Sequence, residues 1–425
     1  MRCRAGGPLS QHSHRRTLAV RRRSRASTSV GSVTPSPRHH GDDRRPRNTT
    51  SRRHRAPSRT HGRAVTSGVL DSVLASSRVV VVAGSGGVGK TTVSAAMAAQ
   101  AALDGRRVAV VTIDPAKRLA DALGFGAGRP IGNDPVRIPL DGARGELWAL
   151  MLDTRSTFDA LVDRYSPSAD QAERIRSNLF YRNISGALSG TQEYMAAEKL
   201  YELHGDDRFD LVVVDTPPTR QALDFLSAPA RLRRFIDHPL YRIVIAPSSL
   251  GLRAVNAVSQ PVLRTIARVV GAQALDDALA FFRAFQGLDA GFRQRAHDVD
   301  RVLHESTTTY VVVTSAQAEP VAEATYFIDQ LESQGVATSL VVANRLMPDF
   351  GSPDDVALDV PDPMRENLGE LVAERAAEES TLAPLRSRLA ETPWIRVELV
   401  PELLDERHDT LAAIRRLGSV LGAAD

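Results

Sequence analysis

The chain has 425 residues, of which 42% are hydrophobic, a single cysteine and a formal net charge of +4. The charge is unevenly distributed, because residues 1–63 carry 17 arginines against two acids, a net of +15 that leaves −11 on the rest. The acidic body excludes a uniformly basic nucleic-acid-binding domain. The absence of any run of 18 apolar residues predicts that no segment spans a bilayer. Because Cys3 lies in the basic tail, the body has no disulfide framework, zinc-binding CxxC pair or thiol nucleophile.

The tail, residues 1–65, is rich in Arg, Ser, Pro and His and has no aromatic residue. Low hydrophobicity with high net charge predicts disorder. Three interpretations stay open: an anchor for nucleic acid or anionic lipid, a transit peptide, or an upstream extension without function. The third is favoured, because neither base-stacking aromatics nor a lipid-facing apolar stripe is present. The tail has no signal-peptide apolar segment, so we expect the body, residues 66–425, to be cytoplasmic.

From about Arg78 onwards, short β-branched runs alternate with Ala- and Leu-rich stretches. Continuous apolar runs separated by helices predict an α/β fold with a doubly wound, mostly parallel sheet covered on both faces. The predicted strands are Val79–Val82, Val108–Ile113, Trp148–Leu152, Leu211–Val214, Tyr310–Thr314, Ser339–Ala343 and Ile395–Val400. In such a sheet the ligand binds at the carboxyl ends of the strands.

The first strand leads into a Gly-rich loop with the pattern GxxxxGK[ST], and an Ala-rich helical stretch begins at Thr92. Glycines let backbone N–H groups converge on a phosphate, and the helix N-terminus adds a positive dipole end. This P-loop predicts nucleotide binding, with Lys90 at the β- and γ-phosphates and the Thr91 hydroxyl on Mg²⁺. The candidate binding residues are Gly84, Ser85, Gly86, Gly87, Val88, Gly89, Lys90, Thr91 and Thr92.

An acid follows each of two further strands. Asp114 follows the predicted strand Val108–Ile113, and Asp215 follows the predicted strand Leu211–Val214. A carboxylate at this position suits a magnesium site, so Asp215 is predicted to hold Mg²⁺ through water. Asp114 is predicted to lie beside the γ-phosphate and to orient the attacking water. The alternative for both is a turn-forming acid before proline or a helix N-cap.

Three segments together carry a family resemblance: GSGGVGKTT at 84–92, TIDPAKRLADALG at 112–124 and VVVDTPPTRQALDFL at 212–226. They resemble the ArsA family of anion-transporting ATPases, which is related to MinD and ParA. The members of the ArsA family include the arsenite-pump ATPase and the ATPase that targets tail-anchored membrane proteins. The resemblance runs from about residue 66 to the end. The run GTQEYMAAEKL at 190–200 and the Arg-rich, Lys-poor composition resemble actinobacterial members.

The resemblance implies an ATP-hydrolysing homodimer, or a heterodimer with a paralogue, that closes over two nucleotides with ATP and Mg²⁺ as ligands. It also implies that Asp114 is the water-polarising acid of switch I and that Asp215 begins switch II. Asn344, in the run Val342–Arg345, matches the residue that binds the adenine edge, and Pro401 matches the loop that flanks the base.

The sequence departs from the family at three points. The second P-loop position, where the family carries a lysine that reaches across the dimer, is Ser85. We hypothesise that Lys117, Arg118 or Arg220 replaces this charge, or that a paralogous partner supplies it. The other departures are the missing cysteines of the arsenite site and the missing CxxC of the targeting-factor dimer.

Two stretches, 154–208 and 221–305, are long enough to be helical insertions in the ATPase domain. The second contains an apolar stripe within Leu250–Val270 and the run Leu279–Phe282. Packing on the sheet is the favoured interpretation, and a groove for a client's apolar helix is the alternative. The amphipathic C-terminal stretch Thr410–Leu421 is predicted to dock on the core, with a membrane-seeking tail as its alternative.

Three functions follow from this sequence. The first is a targeting or chaperone-like ATPase switch that couples nucleotide state to a client, such as a membrane protein. The second is the energising subunit of an anion efflux system of the arsenite type. The third is a ParA-like positioning ATPase that uses the basic tail on DNA, although nucleic acid is not the partner that we expect.

Overall fold

The computed structural model describes residues 68–113, 119, 123, 132–182, 190–239, 241, 271–351, 361–400 and 410–423. Several of the predicted features lie outside these residues. They are the tail at 1–65, Asp114, Lys117, Arg118, the stripe at Leu250–Val270 and Pro401.

The described strands form one eight-stranded sheet with the order β3-β4-β2-β5-β1-β6-β7-β8. Every neighbouring pair is parallel except β3 and β4, which are antiparallel. The strands are β1 (Val79–Gly84), β2 (Arg107–Thr112), β3 (Val136–Ile138), β4 (Glu146–Met151), β5 (Leu211–Asp215), β6 (Thr308–Thr314), β7 (Leu340–Leu346) and β8 (Trp394–Glu398).

The predicted fold class, an α/β fold with a doubly wound and mostly parallel sheet, is confirmed. All seven predicted strands are present and differ from the prediction mainly at their ends. The short edge strand β3 was not predicted. It has only three residues, and the Asn133–Pro135 stretch before it is typical of a turn.

The helices are α1 (Val69–Ser76), α2 (Lys90–Leu103), α3 (Thr154–Tyr165), α4 (Ala169–Ser177), α5 (Thr191–His204), α6 (Thr219–Asp237), α7 (Ala272–Ala284), α8 (Asp289–Leu303), α9 (Ala318–Ser333), α10 (Asp362–Arg388) and α11 (Thr410–Ala423). They cover both faces of the sheet. Alternate residues of β1 point to opposite sides, so Val80 and Val82 pack with α2 while Val79 and Val81 pack with α5 and α9. This double burial explains why the central strands are continuously apolar.

The C-terminal helix α11 docks on the core, as the favoured interpretation predicted. Ile414, Leu417 and Leu421 are buried in the cluster that also contains the alanines of α2. Gly418 allows the two helices to approach closely, because a Cβ there would lie 3.0 Å from the Ala96 carbonyl oxygen. The apolar face that a membrane-seeking tail would use is therefore occupied. None of the helices in the described ranges has both the length and the apolar character needed to cross a membrane.

A third hydrophobic cluster joins helices α3 to α8, which come from the stretches predicted as insertions. It is rich in aromatic rings, among them Phe158, Tyr181, Phe281 and Phe292. Phe281 stacks with Tyr181 at a centroid distance of 6.1 Å and packs among helices. The expectation that the run Leu279–Phe282 packs on the sheet is wrong in this respect, because the helices form a core of their own.

A buried ion pair connects α5 with α8. The Arg295 guanidinium donates from Nε to Glu198 Oε1 at 2.8 Å, and both side chains are largely buried. The same guanidinium lies over the Tyr201 ring, 3.8 Å from its centroid, which adds a cation–π contact. A charged pair with this much hydrogen bonding fixes one arrangement of the two helices, because separating it would leave a buried charge without its partner.

Candidate functional site

The Gly-rich loop follows β1 and leads directly into α2, so the strand–loop–helix setting predicted for a P-loop is present. Gly89 is the N-cap of α2, and Lys90 is its first residue. The loop lies at the carboxyl end of the central strand, where the ends of β5 and β6 flank it. This is the edge at which parallel sheets bind their ligands.

Two glycines of this loop make contacts that exclude any side chain. A Cβ on Gly84 would lie 2.1 Å from the Val313 carbonyl oxygen of the neighbouring strand β6. A Cβ on Gly89 would lie 2.4 Å from Asn344 Nδ2, and the φ of Gly89 is +93°, which L-residues rarely adopt. A side chain would therefore clash with the backbone at Gly84, and at Gly89 it would strain the backbone and displace the Asn344 amide.

Replacing Gly89 by alanine is expected to lower the free energy of unfolding by about 1–3 kcal/mol. The left-handed backbone and the displaced Asn344 amide both contribute to this loss. Urea unfolding without nucleotide measures it, and Gly86→Ala is the matched control, because a Cβ on Gly86 would have no atom within 4 Å. Equal stability of the two variants would contradict the geometric role of Gly89.

Lys90 is buried, and its ammonium group bends back over the loop. Its Nζ donates to the Ser85 carbonyl oxygen at 2.7 Å. The ammonium therefore lies over the space that the loop encloses, where a phosphate oxygen could replace the carbonyl as acceptor. A lysine acts here as a point charge with several donors, which suits an anionic phosphate.

Ser85, at the second P-loop position, is only 4% exposed. Its hydroxyl has no hydrogen-bond partner within the described part of the chain. A short, neutral and buried side chain supplies no positive charge to a bound nucleotide or to a neighbouring chain. Of the residues hypothesised to replace that charge, Lys117, Arg118 and the side chain of Arg220 lie outside the described structure, and the hypothesis stays a prediction.

Asp215, the last residue of β5, is 1% exposed and accepts hydrogen bonds from two threonine hydroxyls. Thr91 Oγ1 donates to Asp215 Oδ2 at 2.8 Å, and Thr112 Oγ1 donates to the same oxygen at 3.0 Å. The arrangement brings the two predicted magnesium residues, Thr91 and Asp215, into direct contact. Oxygen donors of this kind fit Mg²⁺, which keeps water and phosphate oxygens as its remaining ligands.

Asn344 lies in β7 and is 7% exposed. Its Nδ2 donates to the Val88 carbonyl oxygen at 2.7 Å, so it holds the P-loop from the side. This contact brings Asn344 to the predicted nucleotide site, while its binding to adenine stays a prediction. Pro401, the other residue predicted at the base, lies outside the described residues.

A cavity of about 290 Å³ lies over the loop. It is lined by P-loop residues together with residues after β5 and in β7, namely Gly86, Gly87, Gly89, Lys90, Thr91, Thr92, Thr216, Pro218 and Arg345. Asp114, which is predicted to orient the attacking water, lies outside the described residues. The residue before it, Ile113, accepts a hydrogen bond at its carbonyl from Gln192 Nε2 of α5 at 3.2 Å.

Four residues of this site were not predicted: Thr112, Thr216, Pro218 and Arg345. Thr112 holds the Asp215 carboxylate, and Thr216 Oγ1 donates to the Val82 carbonyl oxygen at 2.8 Å. A threonine that ends or follows an apolar strand next to a motif acid is the signal that could have identified the first two. Arg345 directly follows the predicted Asn344. It is a single exposed residue between two buried ones in β7, and no neighbouring motif in the sequence marks it as part of the site.

Comparison with known sequences gives one family. The sequence model described as anion-transporting ATPase matches residues 77–356, more than half of the chain. The Malassezia globosa protein named ATPase GET3 is 28% identical over 269 residues, which are 62% of this chain and 71% of the relative.

Two further relatives extend the comparison. The Mycobacterium tuberculosis protein Rv2184c is 32% identical over 195 residues, 43% of this chain and 45% of the relative. A Halobacterium salinarum protein, provisionally named an arsenical pump-driving ATPase, is 26% identical over 317 residues, 73% of this chain and 42% of the relative.

Proposed function

The chain belongs to the anion-transporting ATPase family, and we propose that it is a nucleotide-driven switch that couples Mg²⁺-ATP hydrolysis to the binding of a client. Its family membership makes it a nucleotide-binding ATPase. The observation that carries the proposal is the continuity between Asp215 at the nucleotide site and helix α6, which leads into the helical core.

The proposed chemistry at the nucleotide uses the charges and hydroxyls around the cavity. Lys90 would bind the β- and γ-phosphate oxygens and stabilise the charge that develops on them. Thr91 would ligate Mg²⁺ directly, and Asp215 would hold it through water. When bound, Mg²⁺ neutralises phosphate charge and orients the phosphates for in-line attack. Asp114 would accept the hydrogen bond of the attacking water.

Coupling to a client would travel through α6. Only three residues separate Asp215 from the start of this helix. Its first half packs on the sheet through Ala222 and Phe225, while its second half contributes Ala228 and Ile236 to the helical core. A shift of the Asp215 loop on hydrolysis would therefore move the helical core relative to the sheet, as a packed helix transmits displacement along its length.

A second connection runs through α5. Its Gln192 binds the Ile113 carbonyl next to Asp114, and its Glu198 pairs with Arg295 of α8. Movement of the Asp114 segment would therefore also displace α5, and with it the helical core. Two nucleotide-dependent segments would act on the same cluster of helices, where the client would bind.

The proposed assembly is a dimer, either with a second copy or with a paralogous ATPase. The client class that we favour is a membrane protein, in line with the targeting members of the family. The anion-efflux alternative has a relative whose name includes an arsenical pump, but the only cysteine of this chain, Cys3, lies outside the body. Thiolate ligands for a soft metalloid are therefore missing from the body.

The test uses the variant Asp114→Asn, which should bind ATP without hydrolysing it, and Lys90→Ala as the non-binding control. Both variants are tagged, expressed in the native cells and purified in the presence of either ATP or ADP. Proteins and DNA that co-purify with each variant are identified, and light scattering gives the mass of the purified complex. We expect a dimer and a retained client for Asp114→Asn with ATP only. A retained membrane protein supports targeting, and retained DNA supports the positioning alternative. The same proteins on both variants would contradict the switch.

A further inference from the structure

Arg345 occupies an irregular position in β7. The strand pairs with β8 through Ala343 opposite Arg396 and Leu346 opposite Glu398, so β7 has one residue more than its partner in this interval. Arg345 lies in this β-bulge with φ +62°. It is the only non-glycine residue with a positive φ in the described ranges.

The bulge turns the Arg345 side chain away from the core. Its neighbours Asn344 and Leu346 are buried, whereas Arg345 is exposed and lines the cavity over the P-loop. No hydrogen bond or ion pair holds its guanidinium among the described residues. Bulges of this kind re-aim a side chain, and they are frequent beside active sites.

The left-handed conformation is unfavourable for arginine, while glycine and asparagine adopt it readily. Strained residues of this type persist where the surroundings determine them, and they cluster at ligand sites. A surface arginine that only improves solubility would gain nothing from this backbone, so the position indicates a ligand.

The charges of the cavity point to the kind of ligand. Among the described residues that line it, Arg345 is the only cation besides Lys90, and Ser85 contributes no charge. A nucleoside triphosphate brings several negative charges into this space. The guanidinium is always protonated and offers forked N–H donors that match phosphate oxygens.

We propose that Arg345 binds the phosphate groups of the bound nucleotide from within the same chain. This inference rests on the proposed function, because it requires nucleotide in the cavity. It adds a second cationic contact beside Lys90, at a point where the P-loop itself provides only one lysine.

The test compares the affinities of the purified chain for ATP, ADP and adenosine by calorimetry. Arg345→Ala is expected to weaken ATP binding about 10- to 100-fold and to leave adenosine binding unchanged. Arg345→Lys should recover part of the loss. Arg301→Ala, which removes an exposed arginine of α8 that does not line the cavity, is the control and should match the parent.

A glycine at the same position separates the side chain from the backbone. Arg345→Gly removes the guanidinium but relieves the left-handed strain, so its melting temperature without nucleotide should equal or exceed the parent's. The upward shift of melting temperature that ATP causes should nevertheless be smaller than in the parent, because weaker binding stabilises less.

The outcomes are distinct. If the parent binds ATP and Arg345→Ala binds it equally well, the inference is overturned. If Arg345→Ala weakens adenosine as much as ATP, the guanidinium contacts the base, and the assignment to phosphate is wrong. If the parent binds no ATP while remaining folded, the proposed function itself fails.

Discussion

Replacing Lys90 by methionine is expected to lower kcat for ATP hydrolysis by about 10²–10³-fold. The change keeps the buried aliphatic chain and removes the ammonium that now donates to the Ser85 carbonyl. The transferred phosphoryl group would then lose the cation of the P-loop, and charge that develops in the transition state would be stabilised less. Steady-state phosphate release with saturating ATP and Mg²⁺ measures the effect.

The matched control is Lys199→Met, which removes the charge of another buried lysine. Lys199 Nζ donates to Glu202 on α5, at a distance of 3.2 Å, and does not line the P-loop cavity. Its variant should hydrolyse ATP at a rate close to the parent's. A kcat for Lys90→Met within a few-fold of the parent's would contradict the assignment of Lys90 to the phosphates.

Replacing Asp215 by asparagine is expected to weaken Mg²⁺ binding. The Mg²⁺ concentration that half-saturates hydrolysis should rise by about 10- to 100-fold. The amide keeps the size of the side chain, but it is neutral and cannot accept hydrogen bonds on both of its terminal atoms. Thr91 and Thr112 then lose the charged acceptor that orients them. Titrating Mg²⁺ at fixed ATP gives the half-saturating concentration for each variant.

Asp210, which directly precedes β5, provides the control. Its carboxylate is partly exposed and pairs with Arg107, whose hydrogen bonds lower its pKa to about 2. Asp210→Asn removes a surface charge at the opposite end of β5 and should leave the Mg²⁺ titration unchanged. An Mg²⁺ response of Asp215→Asn equal to that of Asp210→Asn would argue against a role of Asp215 in holding the metal.

The central part of the fold could be predicted because its local signals agree with its packing. Strands such as β1 and β5 are buried along their whole length and almost entirely apolar, which is the pattern of a strand covered on both faces. The edge strand β3 has no such signal, because its three residues depend on antiparallel pairing with β4. Tertiary pairing, which a single sequence does not display, determines that strand.

The helical core was harder to predict for a related reason. An apolar face such as that of α7 indicates burial without indicating the surface that covers it. The sheet was the expected partner of Phe281, whereas the actual partners are aromatic rings of other helices. The ion pair between Glu198 and Arg295 was equally hidden, because its members are 97 residues apart in the chain.

The candidate site likewise has residues that could be predicted from the sequence and one that could not. The P-loop has a fixed spacing after β1 and Asp215 ends β5, so the sequence could place Thr91 and Asp215 at the same carboxyl edge of the sheet. Arg345 reaches the cavity only because a bulge shifts the strand by one residue. In a regular strand, a residue next to the buried Asn344 points to the other face, and nothing in the sequence marks the bulge.

Phosphate release from ATP by the purified chain, with and without Mg²⁺, tests most directly whether the P-loop and Asp215 form a Mg²⁺-dependent ATPase site. We expect phosphate release that requires Mg²⁺ and that falls by about 10²–10³-fold in Lys90→Met but stays near the parent's rate in Lys199→Met. Release that persists in Lys90→Met at the parent's rate, or a folded parent that neither binds nor hydrolyses ATP, would contradict this expectation.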